Sequence, residues 1–156
     1  ILYSANDGGL YYSNNDGQIW TDISDGLQIS QFYRSGISQT NSELIISGAQ
    51  DNGTLLMNGL NFWSAVRGGD GMECAIDPNN PNIMYSTVYY GALSKSSNGG
   101  DSWNDIAPAN DGAWITPFSL DPSNSNRIIA GYTEVWESND GGSSWNTLTN
   151  GQASIH

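Results

Sequence analysis

An all-β fold of many short strands is what this chain predicts, and three observations carry the prediction. Gly, Asn, Ser and Asp cluster every few residues, with 19 Gly among 156 residues, so the chain must turn often. Alanines and Lys/Glu pairs, which clothe a solvated helix face, are scarce, and only 13% of residues are charged. The third observation is an internal repeat of about forty residues, a period that belongs to repetitive architectures.

The repeat is easiest to see in its turns. Three segments follow Ser-x-Asn/Asp-x-Gly-x-x-Trp: Ser13-Asn-Asn-Asp-Gly-Gln-Ile-Trp20, Ser96-Ser-Asn-Gly-Gly-Asp-Ser-Trp103 and Ser138-Asn-Asp-Gly-Gly-Ser-Ser-Trp145. Asn58-Gly-Leu-Asn-Phe-Trp63 fills the gap as a degenerate copy, and the four tryptophans then recur at intervals of 43, 40 and 42 residues. A second element repeats alongside. Ala75-Ile-Asp-Pro-Asn-Asn-Pro-Asn-Ile-Met-Tyr85 parallels Ser119-Leu-Asp-Pro-Ser-Asn-Ser-Asn-Arg-Ile-Ile129, with Asp77 and Asp121 at 44 residues' separation. Pro fixes φ and lacks an N–H, so each Asp-Pro marks a strand end and not a ladder position.

Strands fall between these turns. The last unit predicts strands at 115–120, 127–132, 134–137 and 144–148; the third at 72–76, 83–88, 92–95 and 102–106. The second predicts 31–38, 43–47, 54–57 and 62–66, whereas the first has only 1–4, 10–12 and 19–23. Four antiparallel strands per forty residues is the blade of a β-propeller. The expected division is an incomplete blade at 1–24, blades at 25–67, 68–108 and 109–150, and a linker towards a further blade at 151–156. Propellers remove exposed strand edges by closing a ring, of roughly four to eight blades. Three blades and three strands do not close one, so the expectation is a propeller fragment whose partners include the remaining blades of a parent chain. A four-bladed ring closed by an outside strand is the alternative.

The three turn segments resemble the Asp-box, or BNR repeat, of sialidases, endo-xyloglucanases, sortilin receptors and many secreted bacterial propellers. The stretches Gly48-Ala-Gln-Asp-Asn-Gly-Thr54, Gly68-Gly-Asp-Gly71 and Gly112-Ala-Trp-Ile-Thr-Pro117 further resemble large exported bacterial propeller proteins. The resemblance implies a secreted or cell-surface location, with the boxes on the outer rim away from the central ligand face. The box residues Ser13, Asn15, Gly17, Trp20, Ser96, Asn98, Gly100, Trp103, Ser138, Asp140, Gly142 and Trp145 are then structural. Their chemistry agrees with that role. Asn and Asp side chains accept from backbone N–H groups ahead, Gly supplies a positive φ, and Trp enters the next strand to pack on a neighbour. Calcium binding is the sharper reading of the same turns, but they lack the acidic residue that ends a calcium loop.

Charge and composition narrow the partners. Sixteen acidic against four basic residues give a net charge of −12, which repels phosphate backbones and anionic lipid, so neither nucleic acid nor membrane insertion is expected. No apolar run approaches the roughly 18 residues that cross a bilayer. Cys74 stands alone, which excludes a multi-cysteine zinc site, and the only histidine, His156, falls at a frayed end, so a Ser-His-Asp or Cys-His mechanism is expected to lack its base. Gly-Gly dipeptides such as Gly99-Gly100 lie in hairpins with no following helix, so no phosphate cradle and no cofactor is expected.

Two groups of residues carry candidate chemistry. Asp51 and Asp70 sit in predicted blade loops and read either as turn residues or as the carboxylate pair of a glycoside hydrolase completed by missing blades. A sialidase grips its substrate with three arginines; this chain has only Arg34, Arg67 and Arg127, and Arg127 follows the Asp-Pro turn, a position expected at the rim, so these residues alone supply no arginine clamp. Among the aromatics, Tyr11, Tyr12, Tyr89, Tyr90, Trp114 and Trp136 read either as packing between blades or as stacking platforms for a carbohydrate. Adjacent tyrosines in a strand point to opposite faces, so only one of each pair is expected on a given side. Trp114, in a loop-like stretch, is the chosen exposed ligand-binding residue. The expected function is therefore non-catalytic, recognition of a carbohydrate or protein ligand or scaffolding, with the hydrolase as the rival.

Overall fold

A computed structural model describes residues 1–6, 8–27, 30–59 and 62–149. It is all-β and consists of antiparallel meanders. The first sheet has three strands, β1 (Leu2–Asn6), β2 (Gly9–Ser13) and β3 (Thr21–Asp22). Three four-stranded sheets follow: β4 (Phe32–Ile37), β5 (Leu44–Ala49), β6 (Gly53–Asn58) and β7 (Trp63–Arg67); β8 (Gly71–Ile76), β9 (Met84–Val88), β10 (Ala92–Ser96) and β11 (Asn104–Asp105); β12 (Phe118–Asp121), β13 (Asn124–Gly131), β14 (Val135–Ser138) and β15 (Asn146–Thr147). Each sheet is ordered as its sequence, so neighbours in the chain are neighbours in the ladder. The expected linker at 151–156, with His156, lies outside the described residues.

Two compact units divide the chain, residues 1–31 and 32–156. Within the second, sheets pack face to face through two cores. Leu44, Ile46, Cys74, Ile76 and Met84 are buried between the second and third sheets, with Leu56 and Trp103 against them. Tyr85, Leu93 and Ile128 are buried between the third and fourth, with Ile106, Phe118 and Trp145 among those closing the gap. Burial also pushes the Cys74 thiol far above its ordinary range, so this residue behaves as a small apolar side chain. The sheets approach so closely that side chains are excluded at some points. A Cβ on Gly48 would lie 2.2 Å from the Met72 carbonyl oxygen, which is why glycine stands there.

Strand boundaries differ from the sequence reading in one systematic way. The outermost strands β3, β11 and β15 are two residues long, and Trp20, Trp103 and Trp145 each lie just before them, not inside them. The reason is local. Backbone N–H groups that would have joined the ladder donate instead to the turn side chain: Ile19 to Asn15 at 2.9 Å, Ser102 to Asn98 at 3.0 Å, Ser144 to Asp140 at 2.8 Å. Strand β12 likewise starts later than position 115, because Thr116 turns back to donate to the Ala113 carbonyl at 2.9 Å and Pro117 follows.

Candidate functional site

In a four-stranded meander the first and third turns share one end, and the second turn shares the other with the chain entering and leaving the sheet. The two ends of the second unit's sheets are built differently. The first end holds the Ser-x-Asn/Asp-x-Gly turns between β10 and β11 and between β14 and β15. In the last, the buried Ser138 hydroxyl donates to Asp140 Oδ1 at 2.9 Å and accepts from the Gly142 N–H at 2.8 Å. Ser96 repeats this with Asn98 and Gly100 at 2.9 Å each, and Ser13 in the first sheet with Asn15 and Gly17 at 2.9 and 3.0 Å.

These turns also join sheets. The Trp103 indole N–H donates to the Val66 carbonyl of the preceding sheet at 3.0 Å, and Trp145 to the Ile106 carbonyl at 2.8 Å. The degenerate copy keeps one bond of the set: Gly59 N–H to the Glu43 carbonyl, matching Gly99 to Asn82 and Gly141 to Asn126. At the same end, Asp77 and Asp121 each accept two backbone N–H groups of the turn that follows. Ser38 does the same in the second sheet, for Thr40 and Asn41. Sequence comparison missed Ser38 because a hydroxyl there replaces the Asp.

The opposite end carries loops with exposed aromatic rings. Val88 ends β9, and a single 3-10 turn over Tyr89–Gly91 carries the chain into β10. Tyr90 has φ of 58°, the left-handed region that costs a non-glycine residue on the order of 1 kcal/mol or more. This backbone corrects the expected alternation, since the two tyrosines lie in a turn and not in a strand. Both rings meet Trp114. Tyr89 stacks on it with centroids 5.8 Å apart at 12°, and Tyr90 meets it edge-on at 5.5 Å and 77°. All three stay substantially exposed, at 43, 58 and 41%. The other aromatic candidates, Tyr11, Tyr12 and Trp136, are half-buried within β2 and β14.

Two residues that sequence reading did not single out hold this cluster. The Trp114 indole N–H points to the Tyr33 hydroxyl at 3.4 Å, and that hydroxyl donates to Gln50 Oε1 at 2.7 Å. Together with the ring contacts of Tyr89 and Tyr90, these bonds link residues of three sheets through Trp114. Neither Tyr33 nor Gln50 occupies a repeated position, so no spacing marks them.

Asp51 and Asp70 are brought together at the same end, but backbone to side chain: the Asp51 N–H donates to Asp70 Oδ1 at 2.8 Å. Asp51 itself has a left-handed φ of 59°, as a turn Asp tolerates. Beside them opens a recess of about 460 Å³ lined by Asp51, Asn52, Ala65, Arg67, Gly68 and Gly69 among others. Gly69 lies against the Tyr89 ring, a Cβ there being 3.7 Å from Tyr89 Cε1, so recess and aromatic cluster adjoin.

The three arginines all have protein partners. Arg67 spans sheets, donating to the Ser86 carbonyl at 2.8 Å and the Ala92 carbonyl at 3.0 Å; burial lowers its proton affinity, with Asp105 and Cys74 opposing. Arg34 pairs with Glu73 at 3.6 Å, and Arg127 with Glu137 at 2.7 Å and Asp121 at 3.3 Å. They do not converge on one point as a clamp for an anionic substrate would require. Among the described residues, no three acidic, His or Cys side chains group as a metal site.

No family profile and no curated protein matches the chain. Solved structures do. A GH74 xyloglucanase from Xanthomonas campestris shares 17% identity over 97% of this chain and 29% of its own length, with a TM-score of 0.65. An ancestral GH74 enzyme shares 23% over 95% and 22%, at 0.63. YCF48 bound to D1 peptide shares 14% over 90% and 48%, at 0.55. The chain therefore spans less than half the length of each. At such identities the likeness shows architecture alone, and the architecture is that of part of a β-propeller.

Proposed function

We propose that this chain is a non-catalytic, Asp-box propeller segment of an exported or cell-surface protein, recognising a carbohydrate or protein ligand with its loop end. Further blades of a parent chain complete the ring. The observation that carries the reading is the exposed cluster of Tyr89, Tyr90 and Trp114. Aromatic rings left in water at the end of closely packed sheets are characteristic of binding surfaces, because they offer large apolar area at low entropic cost. The box turns support the Asp-box assignment through their repeated Ser–Asn/Asp–Gly bonding. Both ligand classes have a precedent in the fold: one structural neighbour is a xyloglucanase, and another holds a peptide.

The hydrolase rival needs Asp51 and Asp70 as acid and base across the recess. Asp70 already serves the loop by accepting the Asp51 N–H, which favours the turn reading. Glycan and peptide arrays probed with the chain and with Trp114→Ala test the proposal. Binding that falls at least about tenfold in the variant is expected, given aromatic hot-spot energies. An absence of any captured ligand, or binding indifferent to Trp114, would defeat it. Xyloglucan cleavage by the parent protein that disappears in Asp70→Asn would install the rival.

A further inference from the structure

We infer that the ligand of this loop end is a polypeptide presenting an arginine or lysine side chain, seated on the Tyr89–Tyr90–Trp114 cluster inside an acidic rim. The inference rests on the recognition reading above and adds the chemistry of the partner. Its first support is geometric. Tyr89 and Trp114 are nearly parallel and Tyr90 stands across both, so the cluster presents a ring edge beside ring faces. A cation prefers the face of such a ring, where the π-electron density is negative.

The second support is charge complementarity. On both sides of the rings the contacting glycine has an acidic residue as its chain neighbour. Gly69 touches Tyr89, which sets Asp70 next to that ring, and Asp70 in turn holds the Asp51 backbone. Across the cluster, Gly112 packs backbone to backbone on Gly91, a Cβ there being 2.9 Å from Gly91 Cα. That contact places Asp111 beside the Tyr90 turn. Of the basic groups nearby, Arg34 pairs with Glu73, while half-buried Arg67 keeps its charge and donates to the neutral Ser86 and Ala92 carbonyls. The acidic residues of this end, Asp51, Asp70, Glu73 and Asp111, outnumber Arg34 and Arg67, in a chain of net charge −12, and that excess draws a cation and repels an anion.

The third support is the left-handed Tyr90. A residue held in a disfavoured conformation at an exposed turn points to a task other than stability. In this turn both tyrosines lie against Trp114. The adjoining recess of about 460 Å³ gives room for residues flanking the seated side chain.

The test is fluorescence anisotropy on the whole chain. The probes are a labelled octapeptide with two arginines in a glycine–serine background, its citrulline counterpart, and a labelled xyloglucan oligosaccharide as the neutral alternative. Citrulline keeps the planar group and loses the charge, so a loss of about tenfold or more is expected. Weakening is also expected as NaCl rises from about 0.05 to about 0.5 M. Trp114→Ala should abolish binding, and Asp111→Asn, which leaves the aromatic contacts in place, should weaken it about threefold. Equal binding of the citrulline peptide, salt-independent binding, or no binding of the arginine peptide overturns the inference. A neutral oligosaccharide that binds through Trp114 while the arginine peptide does not would overturn it and leave the recognition reading standing.

Discussion

The two ends of the second unit's sheets are made from the same residue types and do opposite things with them. At the turn end, Trp103 and Trp145 bury part of their rings in the cores between sheets and donate their indole N–H groups to carbonyls of the preceding sheet. At the loop end, Trp114 remains 41% exposed and its indole reaches only a tyrosine hydroxyl. Asp140 accepts from its own turn, whereas Asp70 accepts from a neighbouring loop. Left-handed backbone falls on glycine at Gly99, Gly100, Gly141 and Gly142, whereas at the loop end it falls on Asp51 and Tyr90 as well as on Gly53, Gly69 and Gly91. One end spends its side chains on rigidity. The other keeps rings in solvent and tolerates strain, which is where a binding surface would be expected.

The comparison breaks most readily on a matched pair of deletions. Trp145→Ala removes a ring that fills a core and leaves the Ile106 carbonyl without its donor, so a loss of about 3 kcal/mol is expected. Trp114→Ala removes exposed stacking and should cost about 1 kcal/mol. In thermal melts of a chain this size the two translate to roughly 10 °C and 3 °C. Equal drops would show that the two ends are energetically alike.

A smaller effect separates buried from exposed serines in the same turn. Ser138→Ala strands the buried Gly142 N–H and frees Asp140 from a donor, and about 2 kcal/mol is expected from that unmet bond. Ser143→Ala alters an exposed hydroxyl that donates to a turn carbonyl at 3.1 Å and should cost under about 0.5 kcal/mol. Urea titrations of the two variants measure the gap, and its absence would remove the case for the serine as the organiser of the turn.

Tyr90→Gly tests the strained end. Relief of the left-handed backbone and loss of two edge-on ring contacts are each worth about 1 kcal/mol in total and oppose one another. The melting temperature should therefore stay within about 3 °C of the parent, while binding on the aromatic cluster falls. A strong destabilisation would mean that Tyr90 is there for packing.

How much of this was legible in the sequence follows from the same division. Turn-end residues repeat, because each blade needs the same bonds, and periodic tryptophans exposed the sheet plan. Where chemistry was conserved but identity was not, as at Ser38 standing in for Asp77 and Asp121, the pattern was invisible. The short outer strands were also beyond reach, since whether Ile19, Ser102 and Ser144 donate to a ladder or to a side chain depends on the turn's geometry. The loop end does not repeat. Trp114 is exposed, as its loop-like context predicts, but strand alternation misplaces its neighbours Tyr89 and Tyr90, because a left-handed turn annuls it. Tyr33, in β4, and Gln50, in the turn after β5, are far away in sequence, so only the packing of sheets brings them in.

The smallest effect expected is a pH dependence that distinguishes one turn from the others. Hydrogen bonds from the Ser144 hydroxyl and N–H, and then from Ser138, hold the Asp140 carboxyl down to about 2. In the unfolded chain an Asp titrates near 3.9, so its proton affinity is higher there than in the fold. Stability from this group is therefore complete above about pH 4 and drains away as the pH falls from there through about 2. Asp121, held to about 2 chiefly by the Ser123 hydroxyl and N–H and by Arg127, behaves in the same sense at the same end of the sheet. The equivalent turns carry Asn15 and Asn98, which do not titrate. Asp140→Asn keeps the acceptor for the Ser144 N–H and removes the proton equilibrium. Its urea midpoint should fall less steeply than the parent's between pH 4 and 2, with the remaining slope diminished again in Asp121→Asn. An unchanged slope in both variants, or a slope centred above pH 4.5, would place the acid sensitivity elsewhere, and the carboxylate of the last turn would then be equivalent to the two carboxamides in energy as well as in geometry.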